Sequence, residues 1–142
     1  MMAATILVVG FIGMIQAMLI GSQMMNHARR QTLATQILNQ EIEQLRGADW
    51  ATISTLPTAS TPVTIDSQFT SAIAASGATF TLTRSLTNPD PGTNLREVNF
   101  TVSWQVKSSR RKQDNSLLSF TYTRSSSAYY GKYGLSLTYR RS

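Results

Sequence analysis

The apolar run over residues 1–21 restricts how this chain can fold more than any other feature. Only Thr5 and Gln16 interrupt it, and the first formal charge along the chain is that of Arg29. About 20 helical residues, rising roughly 1.5 Å each, cross a hydrocarbon layer of ~30 Å. A helix that is apolar on all sides must be covered on all sides, by lipid or by neighbouring helices. The run therefore predicts a helix half that projects from the rest of the chain.

The side chains of this run are the candidates for packing in the core of a membrane or an assembly. They are Thr5, Ile6, Leu7, Val8, Val9, Phe11, Ile12, Met14, Ile15, Met18, Leu19 and Ile20. Three glycines, Gly10, Gly13 and Gly21, lie among them. Small residues in an apolar setting permit close approach of helices, and glycine also weakens a helix. We expect close packing or a local loosening of the helix at these three positions.

The second half of the predicted helix is amphipathic rather than uniformly apolar. Its apolar residues follow one another in steps of mostly three to five residues and form one stripe: Leu33, Ile37, Leu38, Ile42, Leu45 and Ile53. The opposite side is assigned to Gln31, Gln40, Glu41, Glu43, Gln44 and Arg46. The pattern predicts one helix to about residue 54, weakened at Gly47 and stopped before Pro57. Such a helix, ~80 Å long, is too long for this domain to bury.

The remainder of the chain has the alternation of β-strands. Candidate strands cover residues 63–65, 79–86, 97–107, 117–124 and 134–140. The last four predict an antiparallel sheet whose apolar face is covered by the amphipathic stripe. We therefore predict an α+β fold, a long N-terminal helix packed on a four-stranded antiparallel sheet. Residues 1–27 form its protruding helix half and residues 28–142 its globular domain, with the helix half 28–54 and the sheet 60–142.

The same alternation places the turns and the apolar face of each strand. Residues 88–92 predict a proline-rich turn, 107–116 a basic hairpin loop and 125–133 a loop of small residues and tyrosines. Period-two stripes predict the buried faces: Phe80, Leu82, Val98, Phe100, Val102, Trp104, Val106, Leu118, Phe120 and Tyr122.

Few residues of this chain suit catalysis. There is no cysteine, which excludes disulfides and thiolate chemistry, and His27 is the single histidine. No phosphate-binding glycine loop or nucleophile-elbow motif occurs in the sequence. Glu41 and Glu43 are two apart on a helix and do not face each other. We expect neither an enzyme nor a cofactor or metal.

Positive charge is the other marked property of the sequence. Thirteen Lys and Arg against seven Asp and Glu give a net charge of +6. The densest cluster is Lys107, Arg110, Arg111 and Lys112, in the predicted basic loop. Basic loops bind phosphates of nucleic acid, and they also occur as solvated loops or as surfaces that pair with an acidic neighbour. This cluster is the candidate anion- or DNA-binding site.

The layout as a whole resembles the bacterial type IV pilins and the related pseudopilins. Residues 32–53 are similar to the second half of that family's helix, in the branch of pilus-assembly minor pilins. The run that carries this resemblance comprises Ala34, Leu38, Glu43, Leu45, Arg46 and Trp50. The resemblance covers the first 54 residues by pattern and the sheet region by architecture.

The resemblance implies a function in assembly rather than in chemistry. It implies a leader that a prepilin peptidase cuts before Met1, which is then methylated. The implied partners are other copies of this chain, other pilins, the inner membrane and an assembly platform. The implied location is the inner membrane before assembly and a cell-surface filament afterwards.

Two positions depart from the family pattern. The family usually has a glutamate where this chain has Thr5, and a proline where it has Gly21 and Ser22. Loss of the glutamate is known at filament tips, so a minor or tip pilin, or a pseudopilin of a secretion or DNA-uptake system, is the alternative expectation. An anchored β domain that never polymerises is a third.

Overall fold

The computed structural model describes residues 2–88, 94–111 and 117–132, with side chains for 7–8, 10–88, 94–107 and 118–132. Its elements are α1 (Met2–Arg46), α2 (Trp50–Ser54), β1 (Thr61–Val63), a 3₁₀ turn (Ser67–Phe69), α3 (Thr70–Ser76), β2 (Thr79–Thr87), β3 (Leu95–Arg111) and β4 (Leu117–Gly131). The four strands form one antiparallel sheet in the order β1-β2-β3-β4. The predicted α+β class, with a long helix and a four-stranded antiparallel sheet, is confirmed, although the fourth described strand is β1 and not the strand predicted at 134–140.

Helix α1 is 45 residues long, or roughly 70 Å at 1.5 Å per residue. It ends at Arg46, so the prediction of one continuous helix to about residue 54 is wrong. Glycine costs about 1 kcal/mol relative to alanine in a helix, and Gly47 directly follows the last turn of α1. The chain then becomes helical again in α2. The break redirects the chain, and Ile53 of α2 is buried in the same core as the α1 stripe.

The core lies between the second half of α1 and one face of the sheet. Leu33, Ala34, Ile37, Leu38 and Leu45 of α1 are buried. The sheet contributes alternate residues of its two central strands: Phe80, Leu82, Leu86, Val98, Phe100, Val102 and Trp104. Successive residues of a strand point to opposite faces, so strict alternation forms one apolar face. The predicted helix stripe and both central strand stripes are confirmed, with Ile42 and Val106 only partly buried.

The bounds of β1, β3 and β4 differ from their predictions. β1 covers Thr61–Val63 instead of 63–65, and β3 extends four residues further than predicted, to Arg111. The predicted tyrosine loop at 125–133 is wrong, because β4 stays paired with β3 as far as Gly131. The candidate strand at 134–140 and most of the turn at 88–92 lie outside the described residues.

The far end of β4 is held against α1 by Tyr130. Its side chain is buried, and its hydroxyl donates to the carbonyl of Ile42 at 3.2 Å. Burial raises the pKa of Tyr130 above its ordinary value of 10.0. A buried tyrosine whose hydroxyl is hydrogen-bonded anchors the strand. This anchor explains why the small residues of the predicted loop at 125–133 form strand as far as Gly131.

Helix α3 and its preceding 3₁₀ turn were not predicted. Gly77 adopts a left-handed conformation (φ 63°) directly after α3, a backbone that favours glycine at a helix C-terminus. The guanidinium of Arg30 donates twice to the carbonyl of Ser76, from Nε at 3.0 Å and from Nη2 at 2.8 Å. These two hydrogen bonds join the end of α3 to α1.

Glu41 is buried, and its assignment to the polar side of the helix is wrong. Its side chain is 6% exposed because it lies four residues from Ile37 and from Leu45, on the same helix face. Burial raises the pKa of Glu41 above its ordinary value of 4.5, while the positive charge of Arg84 lowers it and the negative charge of Asp66 raises it. The net shift favours the protonated carboxyl in the folded chain.

We expect Glu41→Gln to flatten the pH dependence of stability. A carboxyl whose pKa is raised by folding stabilises the fold below its unfolded pKa, and this contribution is lost as pH rises through the folded value. Above pH ~4.5 the free energy of unfolding of the wild type should therefore fall relative to that of the Glu41→Gln variant. Urea unfolding at pH 4.5, 6 and 8, in one mild detergent, measures it.

The matched control for this prediction is Glu43→Gln. Glu43 is exposed and pairs with Arg46 at 2.6 Å, so its neutralisation should cost about 0.2–0.5 kcal/mol at pH 8. A difference between Glu41→Gln and wild type that is constant across the three pH values would contradict the assignment.

Candidate assembly surface and the groove at its base

The first half of α1 has no cover among the described residues. All side chains from residue 10 to residue 26 are exposed. The large exposed apolar side chains of this helix half, from 49% exposed at Ile15 to 71% at Met18, are Leu7, Val8, Phe11, Ile12, Met14, Ile15, Met18, Leu19, Ile20, Met24 and Met25. We call this set the apolar ridge. Monomeric soluble proteins rarely expose a contiguous apolar patch of more than a few hundred Å², so the ridge marks an interaction surface.

Removing the apolar ridge from water, whether into lipid or against protein, is energetically favourable. Removing one large apolar side chain from water is worth roughly 1.5–3 kcal/mol. Exposure on every side of the helix means that no single partner face covers the whole ridge. Among the residues that the structure describes, no helix is both long and apolar enough to cross a membrane.

Most of the predicted packing residues belong to the ridge. Leu7, Val8, Phe11, Ile12, Met14, Ile15, Met18, Leu19 and Ile20 are described and exposed. The side chains of Thr5, Ile6 and Val9, and Met1 altogether, lie outside the description. Met24 and Met25 were missed because polar residues surround them in sequence, yet they extend the ridge by a helical turn.

The three ridge glycines lie in unbroken helix. α1 runs through Gly10, Gly13 and Gly21, and a Cβ added at any of them would meet nothing within 4 Å. The chain itself therefore makes no close approach there. Close packing against a neighbour, and loosening of the helix, both stay predictions.

A groove of about 740 Å³ lies where the ridge meets the globular domain. We call it the junction groove. Its walls are one stretch of α1 and the adjoining ends of β3 and β4, through Gln23, Met24, Asn26, His27, Ala28, Arg30, Gln31, Val106, Lys107, Phe120 and Tyr122. The hairpin end of the sheet is thus brought to the ridge side of the domain.

Aromatic rings connect this groove to the core. Phe80, Trp104 and Tyr122 are cross-strand partners, stacked at centroid separations of 5.8 Å and 5.7 Å. His27 of α1 meets Tyr122 edge-on at 4.8 Å, and its Nε2 lies 3.0 Å from Nε2 of Gln31. Adjacent strands place side chains of one face beside each other, so the row follows from the register.

The outer part of this aromatic face is open, contrary to the sequence prediction. Phe120 is 51% exposed and Tyr122 37% exposed, while Leu118 is half-buried. Alternation placed these residues on the correct face of β4. However, the buried part of α1 covers the sheet only beyond them, and the mostly exposed stretch of α1 at residues 23–31 lies alongside.

The junction groove is basic. Arg30 and Lys107 line it together with His27, and no Asp or Glu is among the described residues that line it. Every acidic residue of the chain comes at position 41 or later, whereas the stretch of α1 that lines the groove comes before it. Unbalanced positive charge in a concave surface attracts anions.

The predicted basic loop is only partly a loop. Lys107, Arg110 and Arg111 belong to β3, and of these the exposed Lys107 reaches the groove. The side chains of Arg110 and Arg111, and Lys112 altogether, lie outside the description. The candidate anion site predicted from sequence therefore contributes one described residue, and Arg30 and His27 were not foreseen as its neighbours.

Comparison with known proteins does not add a relationship. No protein-family model, no curated protein and no solved structure matches the chain. The fold and surface define its class in their own terms: an α+β chain whose long N-terminal helix packs on an antiparallel sheet through its second half and is exposed through its first.

Proposed function

We propose that this chain is a structural subunit of a type IV pilus-like filament, assembled through the apolar half of α1. The observation that carries the proposal is the apolar ridge, which is exposed on every side of a helix whose second half packs one face into the core of the same chain. Only surroundings that enclose a helix completely can cover such a surface. A bundle of identical helices at the centre of a filament is such an environment, and so is a lipid bilayer.

In this proposal the two halves of α1 have separate tasks. The second half fixes the helix to the sheet through Leu33, Ala34, Ile37 and Leu38, so pulling force on the helix is transmitted to the domain. The first half enters the filament core, and the domain forms the outer sheath. Lipid already covers the ridge before assembly, so the net gain in the filament comes from packing and symmetry rather than from escape from water.

The maturation steps follow from the resemblance to pilins. A prepilin peptidase cuts before Met1, the new terminus is methylated, and an assembly platform moves the subunit from the inner membrane into the filament. Thr5 replaces the glutamate of the family, so this chain makes no ion pair at that position. A neutral hydroxyl also costs less to desolvate in an apolar core than a carboxylate does.

The alternative proposal is a minor or tip pilin, or a pseudopilin of a secretion or DNA-uptake system. Thr5 supports the tip position. The exposed Lys107 at the hairpin end, in a groove lined by no Asp or Glu within the described part of the chain, supports binding of DNA phosphates. DNA is for this reason included in the binding experiment described below.

Electron microscopy of sheared cell-surface material, combined with mass spectrometry of the subunit N-terminus, tests the proposal. We expect filaments built mainly of this chain, each beginning with a methylated Met1. Filaments that contain the chain only in trace amounts, or only at their ends, would replace the major subunit by the minor one. A chain found solely in membranes, unprocessed before Met1, would support the anchored domain and contradict the proposal.

A further inference from the structure

The distance along α1 from its start to the junction groove is comparable to the thickness of a membrane. The helix from its first residue to the groove at residues 23–31 spans about 30–45 Å, close to the ~30 Å of a hydrocarbon layer plus one headgroup region. A subunit whose ridge is embedded in lipid therefore has this groove at the level of the headgroups. This step rests on the proposed function, in which the membrane precedes the filament.

We infer that the junction groove binds the phosphate headgroup of an anionic phospholipid and so seats the domain on the membrane before assembly. Arg30 and Lys107 supply positive charge to the phosphate. The side-chain amides of Asn26 and Gln31 supply N–H donors on the same wall. The open rings of Phe120 and Tyr122 offer the amphipathic surface that aromatic residues present at membrane interfaces.

The orientation of Arg30 is fixed rather than adaptable. Its two hydrogen bonds to the carbonyl of Ser76 use two of the five guanidinium N–H donors and hold the side chain beside the groove. A preorganised cation binds an anion with less loss of conformational freedom than a mobile one does.

Charge and polarity favour a lipid over the other occupants. A second copy of this chain carries the same net charge of +6, so it is a poor partner for a groove whose described lining contains basic but not acidic residues. Duplex DNA matches the charge, but its bases are stacked inside the double helix and leave Met24 and Phe120, which line the groove and are mostly exposed, without an apolar partner. An anionic phospholipid matches both, because phosphate and apolar chain are joined in one molecule.

The full chain in zwitterionic micelles allows a direct test. Short-chain phosphatidylglycerol and the matched short-chain phosphatidylcholine are titrated separately, and binding is followed by NMR shifts of the groove residues. We expect phosphatidylglycerol to bind about fivefold more tightly for each cation that contacts it. Lys107→Gln should remove about that factor without lowering the melting temperature, because Lys107 is exposed.

Arg46→Gln is the matched control for charge. Arg46 is exposed on the same helix, at least ~20 Å from the groove, and its substitution removes the same single charge. An equal loss of affinity in both variants would overturn the inference, since net charge alone would then explain it. Equal binding of the two lipids by wild type would overturn it as well.

Three further arms separate the remaining readings. Inorganic phosphate that displaces the lipid at equal concentration would overturn the inference in favour of a simple anion site. A DNA oligonucleotide that binds more tightly than phosphatidylglycerol, at equal phosphate, would overturn it in favour of nucleic acid. Insertion of the chain into neutral vesicles is measured separately. Failure to insert, with phosphatidylglycerol still preferred in micelles, would contradict the proposed function but not the binding site. Insertion without a preference for phosphatidylglycerol would overturn the inference alone.

Discussion

Phe100→Ala is expected to lower the free energy of unfolding by about 3–5 kcal/mol. Phe100 is fully buried at the middle of β3, where that strand is paired on both sides. Its ring belongs to the core shared by Ile37 and Leu38 of α1. Truncation removes apolar contacts and leaves a cavity that the sheet cannot collapse into. The expected loss is a large part of the ~5–15 kcal/mol that holds a typical domain folded.

Chemical unfolding of the full chain in a mild detergent, followed by circular dichroism, measures this loss. Phe120→Ala is the matched control, because the same ring is removed from the same sheet at a position that is 51% exposed. We expect the control to cost less than about 1 kcal/mol. Similar losses in both variants would show that the helix does not cover the sheet as described.

The central packing of this fold could be predicted because two periodicities meet in it. A spacing of three to five residues assigned Leu33, Ile37 and Leu38 to one helix face, and strict alternation assigned Phe100 and Val102 to one sheet face. Both faces are long and strongly apolar, so any compact arrangement has to join them. The broad class therefore followed from the sequence.

The extent of that packing could not be predicted. Alternation says which face of β4 Phe120 and Tyr122 occupy, but not that the helix half beside them is itself exposed. The position of Glu41 shows a related limit: a charged residue was assigned outward by type, although helix geometry places it beside Ile37 and Leu45. The charge of Glu41 suggested an exposed side chain, whereas its position on the helix places it in the core. The position determined the outcome.

The junction groove needed the three-dimensional structure. His27, Lys107 and Tyr122 are far apart in sequence, and the register of β3 with β4 brings the last two beside α1. The sequence signal was the basic cluster near residue 110, which indicated an anion site but placed it in a loop. The sequence also has no acidic residue before Glu41, and this was a second signal that could have linked the helix to the anion site.

Ile15→Asp is expected to reduce filament formation at least ~tenfold while leaving the globular domain folded. Ile15 lies in the middle of the apolar ridge and is 49% exposed, so the domain loses no buried contact. In a filament core or a bilayer the new carboxylate would be buried without a partner. A charge at the centre of a membrane helix costs ~2.5–3.5 kcal/mol on insertion scales, and each 1.4 kcal/mol is a tenfold change in equilibrium.

Gln44→Asp and Ile15→Leu are the controls for this substitution. Gln44 is exposed on the domain half of α1, so Gln44→Asp introduces the same charge where water remains, and filaments should persist. Ile15→Leu keeps volume and polarity, and it should assemble at near wild-type levels. Filaments are counted by electron microscopy, and cell fractionation shows how much subunit each variant supplies to the membrane. Abundant filaments of the Ile15→Asp chain, at equal subunit levels, would remove the ridge from the filament core and with it the basis of the proposed function.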